Sequence, residues 1–431
     1  MFHLTGTRIT AATVCIAAAG AISVFGQSAR DARSVATLGV PGFSNSTPSL
    51  AAAGRTVAAV WTATKDGVAN AYLSVSNDGG VTFSSPARVN DHDGDAGATN
   101  EQPPRVVISG AANALVFTVL WAKRDTGPQQ TRRDVIRVAR STDGGRTFTP
   151  ARVTHDPSFG GARGWQSATV ASDGTIHAVW LDGREATRKI AEHAKQTGMP
   201  HKGQPPQEIY HGRLSADGRM TETLIASDVC FCCKTAVAIG PRGTVYTAWR
   251  HIFPGSMRDI AFAASDGGRP FGPIVRVSED KWELNGCPED GPSMAVDESG
   301  TIHIAWATVV NDAEPFKAIF YATSRDGKVF TPRKRLPTPA TTTPGHPQMV
   351  LTRNGADIVF DEVVAGERRV SIARVTRAGA VQPIELLSRD ESAAHPVIAR
   401  AGNDVVVAWT SRSAAAKPGD PSVIKIRRLG T

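Results

Sequence analysis

Ser76-Asn77-Asp78-Gly79-Gly80-Val81-Thr82-Phe83 and Ser141-Thr142-Asp143-Gly144-Gly145-Arg146-Thr147-Phe148 are two copies of one turn, and their recurrence decides how the chain folds. Asp and Ser can bond the turn's own backbone, Gly accepts positive φ, and the closing aromatic packs back on a sheet. A third copy, Ala264 to Phe271, lacks only the leading Ser; Ser324 to Phe330 is one residue short, and Ser215-Ala216-Asp217-Gly218 is a remnant. Their acidic residues are assigned to the scaffold, because turn chemistry alone accounts for them.

Outward from each turn the sequence repeats. A Pro or polar start leads into a short apolar strand, then a Gly or Asn turn, then a strand ending in Ala-Trp or a close variant. The starts at Pro48, Pro103, Gln166, Lys234, Pro292, Pro347 and Pro396 run to Trp61, Trp121, Trp180, Trp249, Trp306, Phe360 and Trp409. A third strand runs into the acidic turn and a fourth follows it, as at Ala87-Arg88-Val89, Ala151-Arg152-Val153 and Ile274 to Val277. Four strands per repeat, in a unit that cannot bury both sheet faces alone, predicts an all-β chain folded as a β-propeller. Seven blades follow from the repeats, or six if one is irregular. The last repeat ends at Val423 to Arg427 with no fourth strand, and Ser34 to Leu38 is placed to supply it, closing the ring between the two termini.

The Ser-x-Asp-x-Gly-x-x-Phe turns resemble the Asp boxes of the sialidase (neuraminidase) superfamily, also described as bacterial neuraminidase repeats. The resemblance covers about residues 34 to 431 and implies a sialidase-like propeller. For an enzyme it implies an exo-sialidase type of glycoside hydrolase, with an arginine trio for the substrate carboxylate, an Asp acid/base and a Tyr activated by Glu. The first-strand position that would carry an early Arg-Ile-Pro reads Ser46-Thr47-Pro48, and no catalytic residue carries over.

Composition agrees with many short strands: 41 Gly and 27 Pro punctuate 431 residues, of which 20% are charged. Residues 1 to 29 hold Arg8 as their one charged side chain, then the apolar run Ile9 to Phe25 and small residues to Ala29. This pattern predicts an export signal, a single propeller domain over residues 30 to 431, and a secreted or periplasmic location with no membrane span once the signal is removed. A membrane anchor is the alternative for the same run. The formal charge of +8 becomes about +7 without Arg8, a mild bias toward acidic partners. No basic stripe interleaved with aromatics supports nucleic-acid binding. A monomer is expected.

In such blades the connections between blades and the loops after the second strands open on one face, while the acidic turns open on the other. The unusual polar residues fall on the first face. Trp165, Arg184, Arg250 and Arg258 are the candidate ligand contacts, and Asp182, Asp259 and Asp290 the candidate acids. His177 and His303 lie within strands and read as structural. The insertion from Glu185 to Glu208 predicts a short charged helix over Ala186 to Gln196, a lid or a solvated excursion.

Asp228-Val229-Cys230-Phe231-Cys232-Cys233-Lys234 holds three of the five cysteines, and Cys287 follows in Gly286-Cys287-Pro288. In an exported chain these predict disulfides, with Cys287 joined to one member of the cluster in preference to a vicinal bridge. The competing reading is a thiolate metal site for copper or zinc formed by Cys230, Cys232, Cys233 and Cys287, with His346 or His395 approaching across the channel. The functional expectation is an exported propeller that binds, or in addition hydrolyses, a glycan or other anionic extracellular small molecule. A metal-binding extracytoplasmic propeller and a non-catalytic protein interaction platform are the alternatives.

Overall fold

The computed structural model describes Met1 and residues 35–430, apart from 98–100, 127–131, 157–159, 204, 216, 267–268, 287, 312–313 and 418–419. The stretch on which the expected export signal falls, and Cys287, therefore lie outside the described residues. Seven four-stranded antiparallel sheets form the molecule. Six run in chain order, from Ser44–Ala53 through Ala87–Arg88 in the first blade to Thr343–Thr352 through Glu385–Leu386 in the sixth. The seventh takes Glu391–Ala401, Asp404–Ser413 and Val423–Leu429 from the C-terminal end and Val35–Leu38 from the N-terminal end. Val35 pairs with Arg427 and Leu38 with Ile424, so the two ends are knit together by a backbone ladder. This is the closure expected from the sequence, with seven blades.

The Trp-ending segment is the second strand of each blade, and the tryptophans explain why neighbouring blades stack. Trp61, Trp121, Trp180, Trp249, Trp306 and Trp409 are buried, and Phe360 holds the equivalent place in the sixth blade. Each indole buries a large apolar area, about 4–6 kcal/mol as an upper bound. Each also donates its N–H: Trp61 to Asn45 Oδ1 at 2.9 Å, Trp180 to Asp182 Oδ2 at 3.1 Å and Trp409 to Glu391 Oε1 at 2.9 Å. Apolar clusters lie between successive blades. One joins Leu38, Trp61, Val397 and Ile426, so the last blade packs on the first.

The acidic turns do the scaffold work expected of them. The Asp78 carboxylate accepts the Val81 and Thr82 N–H groups at 3.0 Å, and Gly80 N–H donates to Ser76 Oγ at 2.8 Å. Asp143 repeats the pattern with Arg146, Thr147 and Ser141. Gly145 is at φ 83° and a Cβ there would stand 2.7 Å from Leu73 Cδ2 in the preceding blade, so this turn requires glycine twice over.

Candidate functional site: an axial cluster beside a cysteine corner

Four innermost strands carry the same irregularity near their start. The pairing register shifts between Ser46 and Ser49, Gly164 and Ser167, Gly345 and Gln348, and Ala394 and Val397. Within each bulge one non-glycine residue adopts positive φ: Thr47 at 51°, Trp165 at 51°, His346 at 54° and His395 at 53°. A bulge frees a residue from the ladder and re-aims its side chain. Thr47, His346 and His395 consequently line a common cavity with Glu101, Arg105 and Lys234. It measures about 20 Å³, room for a water or a single small group.

Carboxylates and one hydroxyl latch these bulges to neighbouring blades. His346 N–H donates to Asp290 Oδ1 at 2.7 Å, His395 N–H to Asp361 Oδ2 at 2.7 Å, and Thr47 N–H to Thr410 Oγ1 at 2.9 Å. Glu101 reaches further, accepting the Lys234 and Gly291 N–H groups at 3.1 Å and the Lys234 ammonium at 2.9 Å. Asp361 also takes the His346 Nδ1 at 2.9 Å and the Arg368 guanidinium at 2.6 Å.

The two imidazole rings lie 4.4 Å apart, centroid to centroid. Their environments divide them. Burial works against a charge on His346, yet Asp361, with Asp290 and Glu101 behind it, raises its pKa above the ordinary histidine value. Burial and the neighbouring His346 charge push His395 down to about 3. Asp361 is held well below the usual carboxylate range: burial opposes this, and the His346 and Arg368 charges outweigh it. The cluster thus sets an imidazole that favours its proton beside one that gives it up.

The expected acids and arginines are placed differently. Asp182 is buried between Arg163 at 3.0 Å and Arg184 at 2.6 Å, and Arg184 continues to Glu222 at 2.7 Å and stacks over Tyr210. Asp259 is buried against Arg276 and the Trp282 backbone, and Asp290 against Lys317 and His346. Each is closed in its own ion pair. Arg250 is buried and donates to the carbonyls of Asp290, Arg258 and Ala307 at 2.6–3.0 Å, which makes it a strut between blades. Arg258 donates its Nε to Leu284 O at 3.0 Å, and its Nη1 is buried with no partner. The insertion forms the helix α1, Arg184–Thr197, capped by Gly198 in the left-handed conformation. Only Ala186 of that helix is buried.

Cys230, Cys232 and Cys233 form a buried corner packed on Trp165, Phe231 and Ile252. The sulfur separations are 3.8, 3.9 and 4.0 Å. Cys230 and Cys233 are thiols and Cys232 is disulfide-bonded. The Cys233 thiol donates to Cys230, and with Arg250 and Arg258 it outweighs burial to bring Cys230 down to about 7; burial pushes Cys233 up. Among the described residues His346 and His395 do not join this triangle. They group instead with Asp361, and His346 also with Glu101 and Asp290. The corner and the axial cluster are neighbours, linked through Lys234 and Glu101.

Glu101, Lys234, Asp361 and Thr47 were not among the sequence candidates. Asp361 had a signal: it follows Phe360 as Arg250 follows Trp249 and Thr410 follows Trp409, and all three reach the start of the next blade. A wider cleft of about 900 Å³ lies on the sixth blade, lined by Glu362, Arg369, Ser371, Gln382 and Arg389.

Comparison with known proteins finds no matching family model and no matching curated protein. Among solved structures, a PL25 ulvan lyase bound to a glucuronate and sulfated rhamnose fragment aligns over 92% of this chain and 96% of its own, with TM-score 0.57 and 10% identity. Another polysaccharide lyase aligns over 91% of each chain at TM-score 0.52 and 12% identity. The NanB sialidase of Streptococcus pneumoniae, as its K499G mutant, is covered over 68% of its length at TM-score 0.43 and 11% identity. The likeness is one of fold: the chain shares the β-propeller architecture of these proteins. No described helix is long and apolar enough to cross a membrane.

Proposed function

We propose that this protein is an exported, glycan-active propeller that takes the anionic group of a sugar into the small axial cavity between its blades, the rest of the chain lying outside it. The observation that carries this reading is the His346–His395 pair. Two imidazoles on equivalent bulges, 4.4 Å apart, are shifted in opposite directions, His346 upward by Asp361 and His395 downward by burial and by His346. Such splitting separates an acid from a base within one site. Four cationic side chains, Arg105, Lys234, Lys317 and Arg368, face three carboxylates, Glu101, Asp290 and Asp361, so the mouth favours a negative ligand. In the reaction His346 binds the uronate carboxylate, and neutral His395 takes the C5 proton and returns it to the departing C4 oxygen as the C4–O bond breaks, leaving a C4=C5 double bond. The likeness to polysaccharide lyases supports a uronate-bearing polymer as the ligand class.

Calorimetry with uronate-bearing, sulfated and neutral polysaccharides tests this, together with ultraviolet detection of unsaturated uronide ends. Binding of an acidic polymer is expected, weakened about tenfold or more in His346→Ala and with turnover lost in His395→Ala. Equal affinity for neutral chains, or unchanged binding in both variants, would move the ligand away from the axis, the wider cleft on the sixth blade being the next place to look.

A further inference from the structure

Three sulfurs from four consecutive residues stand at mutual distances of 3.8, 3.9 and 4.0 Å in a buried corner of the fourth blade's approach. Thiolates each about 2.3 Å from one metal stand about 4.0 Å apart in a trigonal plane and about 3.8 Å apart at tetrahedral angles. The backbone thus holds the sulfurs at the spacing of a shared thiophilic ion. We propose that Cys230, Cys232 and Cys233 form a Cu(I) site that the disulfide at Cys232 keeps closed and that reduction opens. This goes beyond the glycan reading and does not depend on it.

Three further observations converge. No histidine or carboxylate of the described residues joins the triangle, and an all-sulfur set of soft donors suits Cu(I). A three-thiolate Cu(I) centre carries excess negative charge, and two guanidiniums act on Cys230: Arg250, and Arg258 with its buried, unpartnered Nη1. The shell of Trp165, Phe231 and Ile252 keeps the corner apolar, which protects a Cu(I)–thiolate centre from water.

The gate is stoichiometric. A dithiol attacks the Cys232 disulfide, forms a mixed disulfide, and closes to its own cyclic disulfide; two electrons and two protons pass to Cys232 and its partner cysteine. Cu(I) then displaces the three thiol protons. In the oxidised protein two sulfurs remain, and the third is blocked.

The test uses the full chain, reduced with a dithiol and desalted without oxygen, and titrated with Cu(I) against a chromophoric Cu(I) chelator; Zn(II) is titrated in parallel. One Cu(I) per chain is expected after reduction and none before it. X-ray absorption on the loaded protein should show sulfur alone at about 2.3 Å. Outer-shell losses already cost 10–100-fold in metal affinity, so Cys230→Ser and Cys233→Ser should each weaken binding by about 100-fold or more. Circular dichroism of each variant verifies folding, and the absorption spectrum of the wild type stands if a variant does not fold. No stoichiometric uptake after reduction, nitrogen or oxygen in the copper shell, or unchanged affinity in both folded variants would overturn the site. Equal uptake without reduction would overturn the gate, and one tight Zn(II) in place of copper would overturn the metal.

Discussion

The carboxylates of the acidic turns and those of the axis perform the same elementary act, accepting backbone N–H groups, with opposite consequences. Asp78 and Asp143 close their own loops near solvent, each bonding residues three and four positions ahead. Asp361, Asp290 and Glu101 are buried and accept N–H groups 34, 56, 133 and 190 residues away. Near water such a carboxylate needs no counter-charge. At the axis each one is matched by a cation, because an unpaired buried charge is too costly. The upward shift of His346 follows from the same demand: Asp361, paired with Arg368, also favours a proton on the ring beside it.

The largest break in this contrast is expected from Asp361→Asn. The amide leaves the partly exposed Arg368 without its counter-charge, removes what raises the His346 pKa inside a buried cluster and weakens the latch to His395. A loss of about 3–5 kcal/mol in denaturant unfolding is expected, together with loss of acidic-ligand binding. Arg250→Lys comes next. Lysine cannot reproduce a planar fork that reaches carbonyls on two blades, and a loss of about 2–3 kcal/mol should follow with the axial histidines still paired. If Arg250→Lys abolished ligand binding without changing stability, Arg250 would be a ligand contact and its assignment as a strut would fail.

The histidine pair sharpens the contrast through pH. His346 has a raised folded pKa, so its stabilisation is complete below the unfolded value near 6.5 and fades as pH rises through the folded one. His395 has a depressed folded pKa, so its contribution is complete above the unfolded value and is lost as pH falls toward about 3. Histidine-resolved NMR titration should show one ring titrating above the ordinary histidine value and its neighbour staying neutral well into acid. Two rings titrating together near 6.5 would remove the acid–base assignment.

How much of this was legible in the sequence depends on the range of the interaction. The turn at Asp78 spans a few residues, so residue type and spacing predict it, and the tryptophans recur in register, so the blade count and the terminal closure follow. The histidines were singled out because His346-Pro347 and His395-Pro396 mark blade starts, and the structure brings them together. The separation of these histidines from the cysteines was not legible. It depends on the angular order of blades around the ring and on Glu101, whose partners are more than a hundred residues away. Arg250 and Asp182 looked like ligand groups because a charged residue beside a Trp-ending strand is conspicuous. The sequence does not reveal that buried carbonyls and arginines already occupy them.

The smallest effect is expected where the two carboxylate sets look most alike on paper. In Asp78→Asn, Ser76, Val81 and Thr82 keep an oxygen acceptor and lose only its charge. Burial works slightly against the Asp78 charge, while the Ser76 and Thr82 hydrogen bonds bring its pKa down from 3.8 to about 2. Its stabilisation is therefore present above about pH 4 and lost as pH falls toward 2. The variant should melt slightly below the wild type at neutral pH and show a flatter acid limb in that window, with ligand affinity unchanged. A large loss at neutral pH would mean that the turn's charge is felt across the blade, and the division between a local rim and a long-range axis would have to be redrawn.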